Sequence, residues 1–92
     1  MLEFTTRHAA ARMQQRAIPE KAVELLLEFG TSRRSHGADS VSFDHAARRR
    51  LARELEPAAI RHMQRFTNLY AIVDDDGSLL TVAWRTRRQQ RA

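Results

Sequence analysis

The chain has no cysteine, a single lysine, and only three glycines and two prolines among its 92 residues. Without cysteine there is no disulfide, no thiolate nucleophile and no cysteine-ligated zinc. The four histidines, His8, His36, His45 and His62, never stand four residues apart, so no two share a helical face as metal ligands. Neither a metal nor any other cofactor is expected. No apolar run approaches the roughly 18–20 residues that cross a bilayer, which excludes a membrane span. The opening Met1-Leu2-Glu3-Phe4 lacks the basic stretch and apolar core of a secretory signal, so the expected location is cytoplasmic. Each of the few glycines and prolines marks an element boundary, and no repeat, linker or low-complexity segment divides the chain. Residues 1–92 are expected to form one domain, burying about 60–65% of the surface the unfolded chain exposes.

What the chain has is arginine: fifteen, with long acid-free stretches around Arg48–Arg53, Arg61–Arg65 and Arg85–Arg91, and a formal net charge of +5. Guanidinium is permanently charged, weakly hydrated and forked, so several along one surface grip successive phosphates and release condensed counterions. The expected partner is RNA or DNA. The plainer alternative is that GC-rich coding favours arginine over lysine and that many of these side chains only keep the protein in solution.

Thr5 and Thr6 offer capping hydroxyls to a helix over Arg7–Arg16. There Ala9 and Met13 fall on one side, and His8, Arg12 and Arg16 follow a four-residue step along a polar stripe. Ala17-Ile18-Pro19 interrupts the pattern, and Glu20–Phe29 makes a second helix whose broad apolar face holds Ala22, Val23, Leu26 and Leu27. Gly30 suits the left-handed position that ends a helix. Residues 31–44 predict a short hairpin turning near Gly37-Ala38-Asp39, with Val41 and Phe43 alternating against Ser42 and Asp44. Asp44 is a candidate cap for a third helix from His45 to Glu56, with Ala47, Leu51 and Leu55 inward. Pro57 either ends that helix or opens a short one carrying Ala59, Ile60, Met63 and Phe66 inward and Arg61 and Arg65 outward.

Leu69–Asp74 and Ser78–Arg85 flank Asp75-Asp76-Gly77. A two-residue Asp76-Gly77 turn of type I′ pairs residues whose numbers sum to 153. Val73 then meets Leu80, Ala71 meets Val82 and Leu69 meets Trp84 on one face. Asn68 with Arg85, Tyr70 with Ala83 and Ile72 with Thr81 occupy the other, more polar face. The aspartate run resembles a cation loop but lacks the remaining ligands, and is taken as turn chemistry. The fold class expected is α+β: two N-terminal helices packed on a twisted antiparallel sheet, with a further helical segment before the C-terminal hairpin.

The pattern Thr6-x-His8-Ala9-x-x-Arg12-Met13-x-x-Arg16-x-Ile18, followed by an amphipathic helix ending in Gly30, resembles the opening of a family of small bacterial proteins of unassigned function. Thr81-Val82-Ala83-Trp84-Arg85-Thr86-Arg87-Arg88 is similar to that family's closing strand. In broad design the family resembles the RelE, ParE and BrnT toxins of toxin–antitoxin pairs. The resemblance implies two helices on a twisted antiparallel sheet and an acidic antitoxin as protein partner. RelE-like members cleave messenger RNA, commonly on the ribosome, whereas ParE-like members inhibit gyrase and are not nucleases. Of the RelE pattern of basic and tyrosine residues, only an arginine on the last strand, Arg85, is matched here.

Metal-free RNA cleavage needs a base for the ribose 2′-hydroxyl, cations for the phosphorane and an acid for the leaving oxygen. The catalytic candidates are His8 as base, Arg12 and Arg85 as cations, and Tyr70 to stack a base or donate a proton. Their structural alternatives are a helix-capping His8, an Arg12 paired with Glu24 or Glu28, and a Tyr70 that covers a sheet edge. Arg16, Arg48, Arg49, Arg50, Arg53, Arg61, Arg65, Arg87 and Arg88 are phosphate-binding candidates. The three consecutive arginines point about 100° apart on a helix, so they span a groove rather than converge on one phosphate. The other function classes are a non-catalytic nucleic-acid-binding or gyrase-inhibiting module and a protein-only interaction domain whose arginines have no specific partner.

Overall fold

The computed structural model describes residues 5–85. Their elements are α1 (Arg7–Gln15), α2 (Glu20–Phe29), β1 (Thr31–Ser35), β2 (Ala38–Ser42), α3 (His45–Glu54), α4 (Pro57–Met63), a short 3₁₀ turn (Gln64–Phe66), β3 (Leu69–Val73) and β4 (Leu79–Trp84). The class is α+β, and the order of helices and strands follows the sequence pattern. The strands form one antiparallel sheet in the order β1-β2-β3-β4.

Local chemistry explains the helix ends. The Thr6 hydroxyl accepts the Ala9 N–H at 3.2 Å and so caps α1. At its far end the Ile18 N–H donates to the Met13 carbonyl at 2.8 Å and the Ala17 N–H to that of Gln14 at 3.4 Å. That pair of bonds is a Schellman motif, and it holds Ala17 at φ 53°, a left-handed position usually taken by glycine. Gly30 does not fill that role after α2: its φ is −68°, an ordinary value. Glycine is needed there because a Cβ would lie 2.4 Å from the Leu26 carbonyl oxygen and 2.6 Å from Val41 Cγ1. Asp44 caps α3, accepting the Ala47 N–H at 2.9 Å, and Pro57 opens α4 at its first turn.

The first hairpin turns earlier than the expected Gly37-Ala38-Asp39: its loop is His36-Gly37, and Ala38 and Asp39 already pair within β2. His36 (φ 52°) and Gly37 (φ 81°) both have positive φ, and Ser35 pairs with Ala38, so the two-residue primed turn joins β1 to β2. Between β3 and β4, Asp76 is not among the residues with positive φ, whereas Gly77 stands at 88°. The Gly77 N–H donates to the Asp74 carbonyl at 3.0 Å, and the Asp74 N–H to that of Ser78 at 2.9 Å. This is a three-residue loop closed by a glycine bulge, so the type I′ expectation at Asp76-Gly77 fails. Asp74 and Asp76 each accept a backbone N–H of the loop, and those bonds favour the longer turn.

The inferred register holds for Leu69 with Trp84, Tyr70 with Ala83, Ala71 with Val82 and Ile72 with Thr81. It then slips: Val73 faces Leu79 rather than Leu80, leaving Leu80 as the extra residue of a β-bulge. Leu79 is thereby buried and Leu80 half-exposed.

Buried residues from every α-helix and from one sheet face merge into a single core. Ala9, Val23, Leu26, Ala47, Leu51 and Met63 meet Val41, Leu69, Ala71, Leu79 and Val82 there. α1 contacts β4, and α2 contacts β2 and β3. Trp84 flanks the core and stacks on Phe66 with ring centres 6.0 Å apart. The opposite sheet face contributes nothing to this core: Ser40, Ser42, Tyr70, Ile72, Thr81 and Ala83 are all half-exposed.

Candidate nucleic-acid interface

Two open surfaces carry the arginines. The first is α3, whose inward side is spent on Ala47 and Leu51, leaving Arg48, Arg49, Arg50 and Arg53 exposed. Arg49, Arg50 and Arg53 line a shallow hollow of about 220 Å³ with Ala46. One of the three is anchored. Arg50 donates from Nε (3.2 Å) and Nη2 (2.9 Å) to the Phe29 carbonyl, and from Nη2 to the Thr31 hydroxyl at 3.0 Å. A cation at the carbonyl end of α2 is favoured by the helix dipole, and the fork satisfies an otherwise unpaired acceptor.

Thr31 in turn donates to the Asp44 carboxylate at 2.7 Å. The Ala47 N–H, the Thr31 hydroxyl and the nearby charges of Arg50 and Arg33 hold the Asp44 carboxyl below the usual carboxylate range, against a smaller opposing effect of burial. Arg33 of β1 and Arg50 of α3 therefore share one electrostatic neighbourhood although they are distant in sequence. The same network makes Arg50 a structural residue as well as a phosphate-binding candidate.

The second surface is the sheet face away from the core. Directly paired residues project to one side. One row across it is Thr31, Ser42, Tyr70 and Ala83, and the next is Arg33, Ser40, Ile72 and Thr81. Arg85 follows β4, its backbone N–H donating to the Asn68 carbonyl at 2.6 Å. The sequence thus located Tyr70 and Arg85 on a common polar face correctly. No carboxylate occupies either row. The one acid within the strands, Asp39, lies in the alternate row with Arg34, Val73 and Leu79. There Arg34 joins Asp75 at 2.5 Å and Asp39 at 3.4 Å, which holds the Asp75 carboxyl low and raises the guanidinium.

The α1 candidates are placed differently. His8 and Arg16 are exposed and Arg12 is half-buried. Arg12 forms no ion pair with Glu24 or Glu28, and no hydrogen bond or ring contact among the described residues joins His8 or Arg12 to Tyr70 or Arg85. α1 does lie along β4, the strand that ends beside Arg85. Arg61 is exposed on α4, and Arg65, in the 3₁₀ turn that follows, lies 5.3 Å from the centre of the Phe66 ring, a cation–π contact that leaves it open to water. Arg87 and Arg88 lie outside the described residues.

Arg33 and Arg34 escaped the sequence reading although they belong to the basic surface. The available signal was alternation: once Gly37 sets the turn, Arg33 and Arg34 must point to opposite faces, one open and one beside Asp39. Among the described residues Arg34 is the one arginine in an ion pair. A second hollow of about 470 Å³ is lined, among the described residues, by Thr5, Ala10, Met13, Gln14, Ile18 and Glu20, none of them an arginine. Among the described residues no three His, Asp or Glu side chains gather to hold a metal ion, and no helix is long and apolar enough to cross a membrane.

No family model matches the chain, and no curated protein or solved structure matches it either.

Proposed function

We propose that this protein is a nucleic-acid-binding domain of the RelE/ParE toxin type, with RNA as its principal target and an acidic antitoxin segment as the partner that covers its basic surface. The observation that carries this reading is the disengagement of the arginines. Among the described residues Arg34 alone is neutralised by carboxylates, while Arg48, Arg49 and Arg53 stand exposed along one helix. An unpaired guanidinium surface keeps its full charge for phosphates, and its binding releases the counterions condensed on the nucleic acid. The two-helices-on-a-sheet design of those toxins, and membership of their wider group, belong to the same proposal.

Salt titration of binding to a labelled RNA tests it. The logarithm of the association constant should fall linearly with the logarithm of salt concentration. A flat response would remove phosphate contact, and the reading with it.

A second reading, metal-independent RNA cleavage, draws support from the Tyr70 phenol and the Arg12 and Arg85 guanidiniums, which have no side-chain partner among the described residues, with His8 exposed on α1. In it His8 takes the 2′-hydroxyl proton, Arg12 and Arg85 hold the phosphorane charge, and Tyr70 stacks a base or protonates the leaving oxygen. Incubating chelator-treated protein with RNA is the test. Undiminished cleavage by His8→Ala excludes His8 as the base, and no cleavage by the wild type leaves a binding module, with gyrase inhibition as its alternative activity.

A further inference from the structure

We propose that the open sheet face is a platform for an unstacked base of single-stranded nucleic acid, with Tyr70 as the stacking surface and Arg33 and Arg85 holding phosphates on either side. This rests on the nucleic-acid reading above and adds which strand state is bound and where.

Four features of the face converge on that ligand. Tyr70 is half-exposed on the second interior strand and has no aromatic partner among the described residues, whose ring pairs are His62 with Phe66 and Phe66 with Trp84. Its cross-strand neighbours are Ser42 and Ala83, among the smallest side chains available, so the ring stands above its surroundings and a planar base can lie across it. The opposite rims of the four-stranded sheet, about 14 Å apart at the usual strand spacing, carry Arg33 and Arg85. No carboxylate stands in the row of Tyr70 or in the row of Arg33.

A duplex keeps its base faces stacked inside and has none to offer a ring on an open sheet, whereas a single strand exposes them. The Arg33 rim also runs into the α3 surface. Arg33 and Arg50 both act on Asp44, and Arg50 bonds Thr31, the first residue of β1. A phosphodiester chain leaving Tyr70 past Arg33 therefore meets the α3 arginines by way of Asp44, the one acid on that path, whose carboxylate is held by the Thr31 hydroxyl and the Ala47 N–H. A second copy of this chain fits the face poorly. Isologous pairing sets arginine rims against a surface with no countercharge.

The test is fluorescence anisotropy with labelled oligo-uridine, oligo-thymidine and a blunt RNA duplex, on wild type, Tyr70→Leu, Tyr70→Phe and Ala83→Glu. Loss of one base stack weakens single-strand binding about tenfold in Tyr70→Leu, while Tyr70→Phe stays within about twofold. Ala83→Glu, which sets a carboxylate beside the ring, weakens it comparably, and duplex binding moves little in any of them. Because Tyr70 neutralises no phosphate, its replacement leaves the salt slope unchanged. That readout separates a lost platform from a damaged fold, in which the slope and the duplex affinity fall too. Oligo-uridine and oligo-thymidine binding alike leaves the platform standing for either backbone, and a preference for uridine assigns it to RNA. If Tyr70→Leu and Ala83→Glu bind single strands as the wild type does, while Arg49→Gln with Arg53→Gln loses affinity, the platform is wrong and the nucleic-acid reading survives. If the wild type binds none of the three at low salt, both fall. A dimer in sedimentation that Ala83→Glu dissociates overturns the platform in favour of self-association.

Discussion

Thr6 fastens the first helix to the bulge of the last strand: its backbone N–H donates to the Leu79 carbonyl at 3.1 Å and its hydroxyl to the same oxygen at 3.0 Å. The hydroxyl also lies 3.2 Å from the Leu80 carbonyl and accepts from Ala9. Leu80 is the residue expelled from the ladder, so its carbonyl needs an acceptor's partner that β3 does not supply. Thr6→Ala removes the cap of α1 and the hydroxyl's bond to β4 together. The expected cost is about 2 kcal/mol, half from the cap and half from the lost bond. Chemical denaturation checks it, with Thr6→Ser as the control that recovers most of the loss.

Ala17 is the opposite case, a residue whose replacement should help. Its left-handed φ of 53° costs an alanine roughly 1–2 kcal/mol that glycine avoids. Glycine's greater unfolded-state freedom offsets about half of this. Ala17→Gly is therefore expected to stabilise the fold by about 0.5–1 kcal/mol and to raise the melting temperature. The buried Ile18 that follows is untouched, so an unchanged or lower Tm would mean that the Schellman turn is not limiting there.

Both cases show where sequence reasoning works and where it stops. Thr6 and Asp44 were legible as helix caps because a cap depends on residues only three positions apart, whereas Pro57 was equally consistent with ending one helix or opening the next. The β3–β4 pairing was legible as far as Ile72, since alternation fixes faces. The Leu80 bulge was not, because which of two glycine turns forms depends on how Asp74 and Asp76 bond their own backbone. The left-handed Ala17 was hidden for a similar reason: the motif is closed by the Ile18 and Ala17 N–H bonds to the Met13 and Gln14 carbonyls, not signalled by residue preference. Of the candidate site, Tyr70 and Arg85 follow from the register. The engagement of Arg50 with Phe29 and Thr31 is a contact between elements that no spacing along the chain encodes.

The Asp44 network gives a pH dependence whose sign is fixed. The folded carboxyl is held below its ordinary value, first by the Ala47 N–H and then by Thr31. Its stabilisation is therefore complete above the unfolded carboxylate range and is lost as pH falls through the lower folded value, that is, below about pH 4. Asp75 and Asp76 are also held low and titrate in the same window, so the contribution of Asp44 is read as a difference. Asp44→Ala should cost about 1 kcal/mol at neutral pH through the lost cap. Denaturation from pH 7 to pH 2.5 should find the gap between wild type and Asp44→Ala closing as the acid limb is reached. A gap that stays constant would mean that the carboxylate charge contributes nothing.

Arg49 and Arg53 provide the sharpest test of the basic surface, because they are exposed, line the same hollow as the anchored Arg50 and hold no element in place. Each phosphate contact on a single strand contributes about 0.7 to the slope of log affinity against log salt. Replacing both by glutamine should lower that slope by about 1.4 and weaken low-salt binding to every sequence alike, since phosphate contacts carry no base preference. Arg50→Gln should behave differently: it removes the Phe29 and Thr31 bonds as well, so the melting temperature falls along with the slope. If Arg49→Gln with Arg53→Gln leaves the slope intact, α3 is only a solvated face. The polyanion must then be sought on the sheet, where Arg33 and Arg85 flank Tyr70.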